Sequence, residues 1–98
     1  MNDELKELMD YCKCGLYIEI NPQKDTYDTA EQWFKDRARG DEEFEKEIKE
    51  DPEIQKCIKE NIIIEITAYP RTPIGNVIGY YTDIDEAIKN MIRVCKEY

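Results

Sequence analysis

The chain has no histidine and no serine. Without histidine it lacks the usual general base near neutral pH and the commonest metal ligand. Without serine a Ser-His-Asp type nucleophile is excluded. The glycines, Gly15, Gly40, Gly75 and Gly79, are too scattered for a phosphate-cradling loop of either glycine-rich pattern. No apolar run approaches the roughly 20 residues that span a bilayer. The start, MNDELKELMDYCKC, has acids where a secretory leader needs a basic and then an apolar region. The expected location is the cytoplasm, where Cys12, Cys14, Cys57 and Cys95 would be reduced thiols.

The cysteines do not form paired knuckles. Cys12-Lys13-Cys14 is a C-x-C, and Cys57 and Cys95 are distant. Cys12, Cys57 and Cys95 fall on apolar faces of expected helices, where a thiol acts as a small hydrophobe. Cys14 reads as an ordinary loop thiol. No calcium-loop spacing occurs among the acids. The expectation is no metal and no cofactor. An enzyme is the least supported class, because only Tyr, Lys, Asp or Cys14 would be left to do chemistry.

What the chain does have is acid. Asp41 to Glu53 contains eight acids against two lysines, which leaves −6 of the −9 carried by all 98 residues. Such a charge repels phosphates, so direct nucleic-acid binding is disfavoured and a membrane partner is not expected. It suits a basic protein partner. The candidate contact residues are Glu42, Glu43, Glu45, Glu47, Glu50, Asp51 and Glu53. That the block only confers solubility stays open. In size and composition alone, with no motif to align, the chain resembles small acidic proteins that phages make against host defence systems. That resemblance implies an inhibitor that imitates nucleic-acid phosphates.

The remaining length makes one α+β domain over residues 1–98. Leu5, Leu8, Met9 and Cys12 give a helix over 2–13 one apolar face. LYIEIN, 16–21, alternates as a half-buried strand, and Asn21-Pro22 stops it. Residues 21–28 read as a polar loop. Thr29, Asp41, Asp51 and Asp83 are placed to cap four helices, with Pro52 at the first position of the third. Ala30, Trp33, Phe34 and the stem of Arg37 make an inner face. IIIEITAY, 62–69, is the strongest strand and apolar on both faces, which suits a central position. NVIGYYT, 76–82, pairs back on it. The last helix carries Ile84, Ala87, Ile88, Met91, Ile92 and Cys95 at helical spacing. The order is α-β-α-α-α-β-β-α. The expected architecture is a small three-stranded mixed sheet with helices mainly on one face, the helical segment crossing over if the first two strands are parallel.

Three further features bear on function. Tyr17, Tyr69 and Tyr80 lie opposite the main aliphatic rows and are candidate apolar anchors beside Ile63, Ile78 and Thr67, unless the first helix covers them. The stiff loop PRTPIG, 70–75, offers Arg71 and Ile74 as a loop contact, or is only a rigid connection. Glu19 and Glu65 are expected to face water on the open side of the sheet. The alternative to an interaction module is a ligand-binding or regulatory domain with its site near Tyr27, Arg71 and Tyr81. A homodimer through a sheet edge or the tyrosine face stays open.

Overall fold

The computed structural model describes residues 3–12, 15–70 and 75–97. Its elements are α1 (Asp3–Tyr11), β1 (Leu16–Ile20), α2 (Gln23–Thr26), α3 (Ala30–Arg37), α4 (Glu42–Glu50), α5 (Pro52–Glu60), β2 (Ile64–Ala68), β3 (Val77–Tyr81) and α6 (Ile84–Lys96). The α+β class and the expected element order hold, with one addition. The segment expected as a loop contains the single turn α2, entered at Pro22.

The caps form as the sequence requires. Thr29 accepts from the Gln32 amide, Asp41 from Phe44, Asp51 from Glu53 and Asp83 from Glu86, at 2.8–3.2 Å. Each oxygen satisfies an amide that a helix start leaves without a partner. Asp51 also closes α4, so one residue both ends a helix and starts the next.

The sheet order is β1-β2-β3, and both pairings are antiparallel. This corrects the expectation of a mixed sheet. The cause lies at the ends of the 43-residue helical excursion between β1 and β2, residues 21–63. Asn21 takes a left-handed conformation (φ 51°) directly after β1. Its amide donates to the Ile63 carbonyl at 2.7 Å, and its side-chain oxygen accepts from the Ile63 amide at 3.3 Å. The excursion therefore leaves and returns at the same end of the sheet. No crossover is needed, and β2 must run back against β1.

Helices stand on both faces, which corrects the second architectural expectation. On one face α1 and α6 bury Leu8, Ala87, Ile88 and Met91 against Ile64, Ile66 and Ala68. On the other, α3–α5 enclose Trp33, Phe34, Ile54 and Cys57 with Ile63, and Tyr80 packs against them. β2 is buried along its whole length, because both its faces are at least partly covered. Cys12 and Cys95 lie in the first core and Cys57 in the second, as free buried thiols. Cys14 lies outside the described residues.

Gly79 matters for the first core. A Cβ there would sit 2.6 Å from the Tyr81 ring, whose hydroxyl donates to the Met91 sulfur at 3.6 Å. The ring lies across the strand only because position 79 has no side chain. Gly79→Ala is expected to tilt Tyr81 out of the core and cost about 1–2 kcal/mol, measurable by urea denaturation. An unchanged midpoint would contradict this reading.

Candidate functional site

The face of the sheet turned toward α3–α5 is only partly covered. Its residues fall into two rows set by the register. One row is Glu19, Glu65 and Tyr80; the next is Tyr17, Thr67 and Ile78. Helix α3 closes over the first row. The second stays open, with Tyr17 54% and Ile78 44% exposed, while Thr67 is buried between them. Tyr69, just past the end of β2, is 41% exposed. Helix α1 packs on the opposite face and leaves this one uncovered.

Helix α4 flanks the open row. Between α4 and β3 lies a groove of about 280 Å³, lined by Asp41, Glu43, Phe44, Glu47, Ile78 and Tyr80. Its acidic wall follows from the helical repeat. Phe44 and Ile48 turn inward as the two apolar anchors, so Glu43 and Glu47, one turn apart, share the flank toward β3. None of the described residues lining the groove is a cation. The carboxylates crowd each other as a result. The Glu47 carboxyl is raised from its ordinary value by partial burial first, then by the neighbouring Asp51 and Asp41.

The other acids of the block are dispersed. Glu45 lies on the far flank of α4, in a second groove of about 480 Å³ with Lys35, Lys49, Ala38, Ile48 and Ile58. Glu42 and Glu50 are exposed. Asp51 is half-buried and engaged as a cap. Glu53 is half-buried, with one carboxylate oxygen shielded from solvent. The candidate loop contacts Arg71 and Ile74 lie outside the described residues.

Tyr80 is placed differently from Tyr17 and Tyr69. Its ring stacks on Phe44 (centroids 6.0 Å, planes 24° apart) and meets Phe34 and Trp33 edge-on. It is therefore a half-buried wall of the groove, held by an aromatic cluster, and not a free anchor. Ile63, expected on the exposed face from the strand alternation, is fully buried in the second core.

Beneath the groove is an ion pair not anticipated from sequence. Glu65 is buried, against the expectation that it faces water, and Arg37 donates to its carboxylate at 2.9 Å. The guanidinium also sits 4.5 Å over the Trp33 ring, a cation–π contact. Tyr80, directly opposite Glu65 on β3, lies within the electrostatic reach of both charges. Burial pushes the Tyr80 phenol up to about 12, with the Glu65 charge adding to it and Arg37 opposing. Burial likewise raises Glu65, and Arg37 opposes that shift. Glu19, directly opposite Glu65, pairs with none of the described cations. Its charge raises the phenol of Tyr17, two residues before it on β1.

The ligand site expected near Tyr27, Arg71 and Tyr81 does not assemble from its described members. Tyr27 packs on the second core and Tyr81 is buried in the first, on opposite faces of the sheet. Among the described residues no helix is long and apolar enough to cross a membrane. No protein-family model matches the chain, and searches of curated proteins and of solved structures give no match.

Proposed function

We propose that this chain is an acidic protein–protein interaction module of the cytoplasm, without catalysis of its own. Its partner is a basic, nucleic-acid-handling protein, which it inhibits by occupying the surface that binds phosphates. The observation that supports this most is the α4–β3 groove. Glu43, Glu47 and Asp41 form its acidic wall beside Ile78 and Tyr80, with no described cation to neutralise them. The open row of Tyr17 and Ile78 extends the apolar part. Carboxylates at the rim steer a basic partner into contact, and aromatic and aliphatic area holds it there.

The test is capture from a lysate of the native host at low and at high salt, followed by displacement. A basic protein retained only at low salt, and released from its own nucleic acid by this chain, supports the proposal. Retention that ignores salt, or a captured protein that keeps its nucleic acid bound, overturns it.

A second reading has its own observation. The roughly 480 Å³ groove between α3, α4 and α5 has an apolar base of Ala38, Ile48 and Ile58 under a lip of mixed charge. It suits a small amphiphilic ligand. Binding there should be nearly indifferent to ionic strength.

A further inference from the structure

Strand β1 is an edge of the sheet, and no described strand pairs with its outer side. Which of its backbone groups point outward follows from the flanking bonds. The Tyr69 amide donates to Gly15 at 2.9 Å, and the Asn21 amide donates to Ile63 at 2.7 Å. Both pairs share one register with β1–β2. Hydrogen-bonded and non-bonded pairs alternate along an antiparallel ladder. Tyr17 and Glu19 therefore turn their amides and carbonyls toward β2, as Gly15 does its carbonyl and Asn21 its amide, and Leu16, Ile18 and Ile20 turn theirs outward.

The side chains of this edge are equally open. Ile20 is 60% exposed on one face and Tyr17 54% on the other. Neither Pro nor Lys blocks the strand, the usual guards against pairing with another chain. Its only charge is Glu19, which has no described cation to answer it.

We propose that β1 accepts an extended, cationic segment of a protein partner as a fourth strand. This rests on the basic-partner reading above, but uses a different surface from the α4–β3 groove. The register specifies the segment. A residue opposite Glu19 falls in a non-hydrogen-bonded pair, where side chains approach most closely, so a lysine or arginine there makes a cross-strand ion pair. A second cation two residues away lies over the Tyr17 ring. The intervening residues, opposite Ile18 and Ile20, are aliphatic. A second copy of this chain fits less well, because each copy carries −9 and brings its own Glu19.

The probe is an end-capped eight-residue peptide of alternating lysine and valine, with a glutamate-for-lysine peptide as control. Amide hydrogen exchange is read by NMR on the full chain. At saturating lysine peptide the Ile18 and Ile20 amides are expected to slow roughly tenfold or more, as fully exposed amides do on entering a ladder. The Tyr17 and Glu19 amides, already bonded to β2, should not change. Glu19→Gln should weaken the lysine peptide roughly threefold. Ile20→Pro removes one outward amide where an edge tolerates proline, and should abolish protection at Ile18. Should Ile20→Pro fail to fold, the exchange pattern and Glu19→Gln still decide.

Three results would overturn the inference. One is shifts confined to Glu43, Glu47 and Ile78 with no slowing at Ile18, which would leave the groove proposal standing. The second is equal protection by the glutamate peptide. The third is protection that appears without peptide as protein concentration rises, which would make the occupant a second copy. Unchanged binding of a basic partner by a Glu43→Lys, Glu47→Lys variant that keeps edge protection would instead sink the proposed function alone.

Discussion

Replacing Glu43 and Glu47 together by lysine is expected to slow association with a basic partner by about two orders of magnitude at low salt. The two carboxylates form most of one wall of the α4–β3 groove, so the change reverses the charge that the groove presents. Long-range steering acts on the association rate, and the wild-type rate should fall steeply with ionic strength. The variant's rate should be slower and nearly flat with salt. The fold should persist, because both side chains are exposed and α4 is held by Phe44 and Ile48. A small loss is expected from moving Glu43 out of the first turn, where a negative charge favours the helix end. Stopped-flow association at several salt concentrations, with circular dichroism as the fold control, reads both effects. Equal rates for variant and wild type would remove α4 from the interface.

Arg37→Ala is expected to destabilise the chain by about 2–3 kcal/mol. The Glu65 side chain is only 4% exposed, and the guanidinium is its cation; Arg37 itself is 44% exposed, which keeps the cost below that of a fully enclosed pair. Arg37 also covers the Trp33 ring. Arg37→Lys should recover only part of the loss, since an ammonium cannot make the flat contact over the indole.

The pH dependence has a definite sign. Burial raises the Glu65 carboxyl above its unfolded value, and Arg37 is what holds that shift down. A group raised in the folded state contributes stability that is fully present below its unfolded pKa and is lost as pH rises through its folded pKa. Without Arg37 the folded value rises further, so the variant's deficit should be small at acid pH and grow toward neutrality. Adding Glu65→Gln should reduce the deficit, because an amide carries no charge to leave unpaired. Urea denaturation at pH 4 and pH 7.5 reads all three variants. A deficit that shrinks as pH rises would contradict the ion-pair account.

Local features of this chain were legible from sequence, and long-range ones were not. All four helix caps form where short polar side chains precede an amphipathic run, because a cap depends on residues two or three apart. Helix α6 was equally plain, since its apolar positions repeat at helical spacing. The direction of β2 was not legible. It depends on Asn21 and Ile63, 42 residues apart, meeting at one end of the sheet. Which face α3 covers was also hidden, and with it the burial of Glu65. Alternation in IIIEITAY marks Glu65 as belonging to the less apolar face, but only the docking of α3 brings Arg37, 28 positions earlier, to that carboxylate. The one signal available was the apolar character of both β2 faces, which hinted that neither stays wholly in water. The acidic block was obvious as composition. Its division into a groove wall, an opposite flank and two partly buried residues required the packing of α4 between the sheet and α5.

The most direct test of the central claim is a photoreactive amino acid placed at Ile78, beside the acidic wall. In host lysate at low salt it should cross-link to a basic protein. Unlabelled wild-type chain should compete the cross-link away, and the Glu43→Lys, Glu47→Lys variant should not. Cross-links of equal yield from position 89 on α6, a helix on the opposite face of the sheet, or cross-links that both competitors remove alike, would contradict the account.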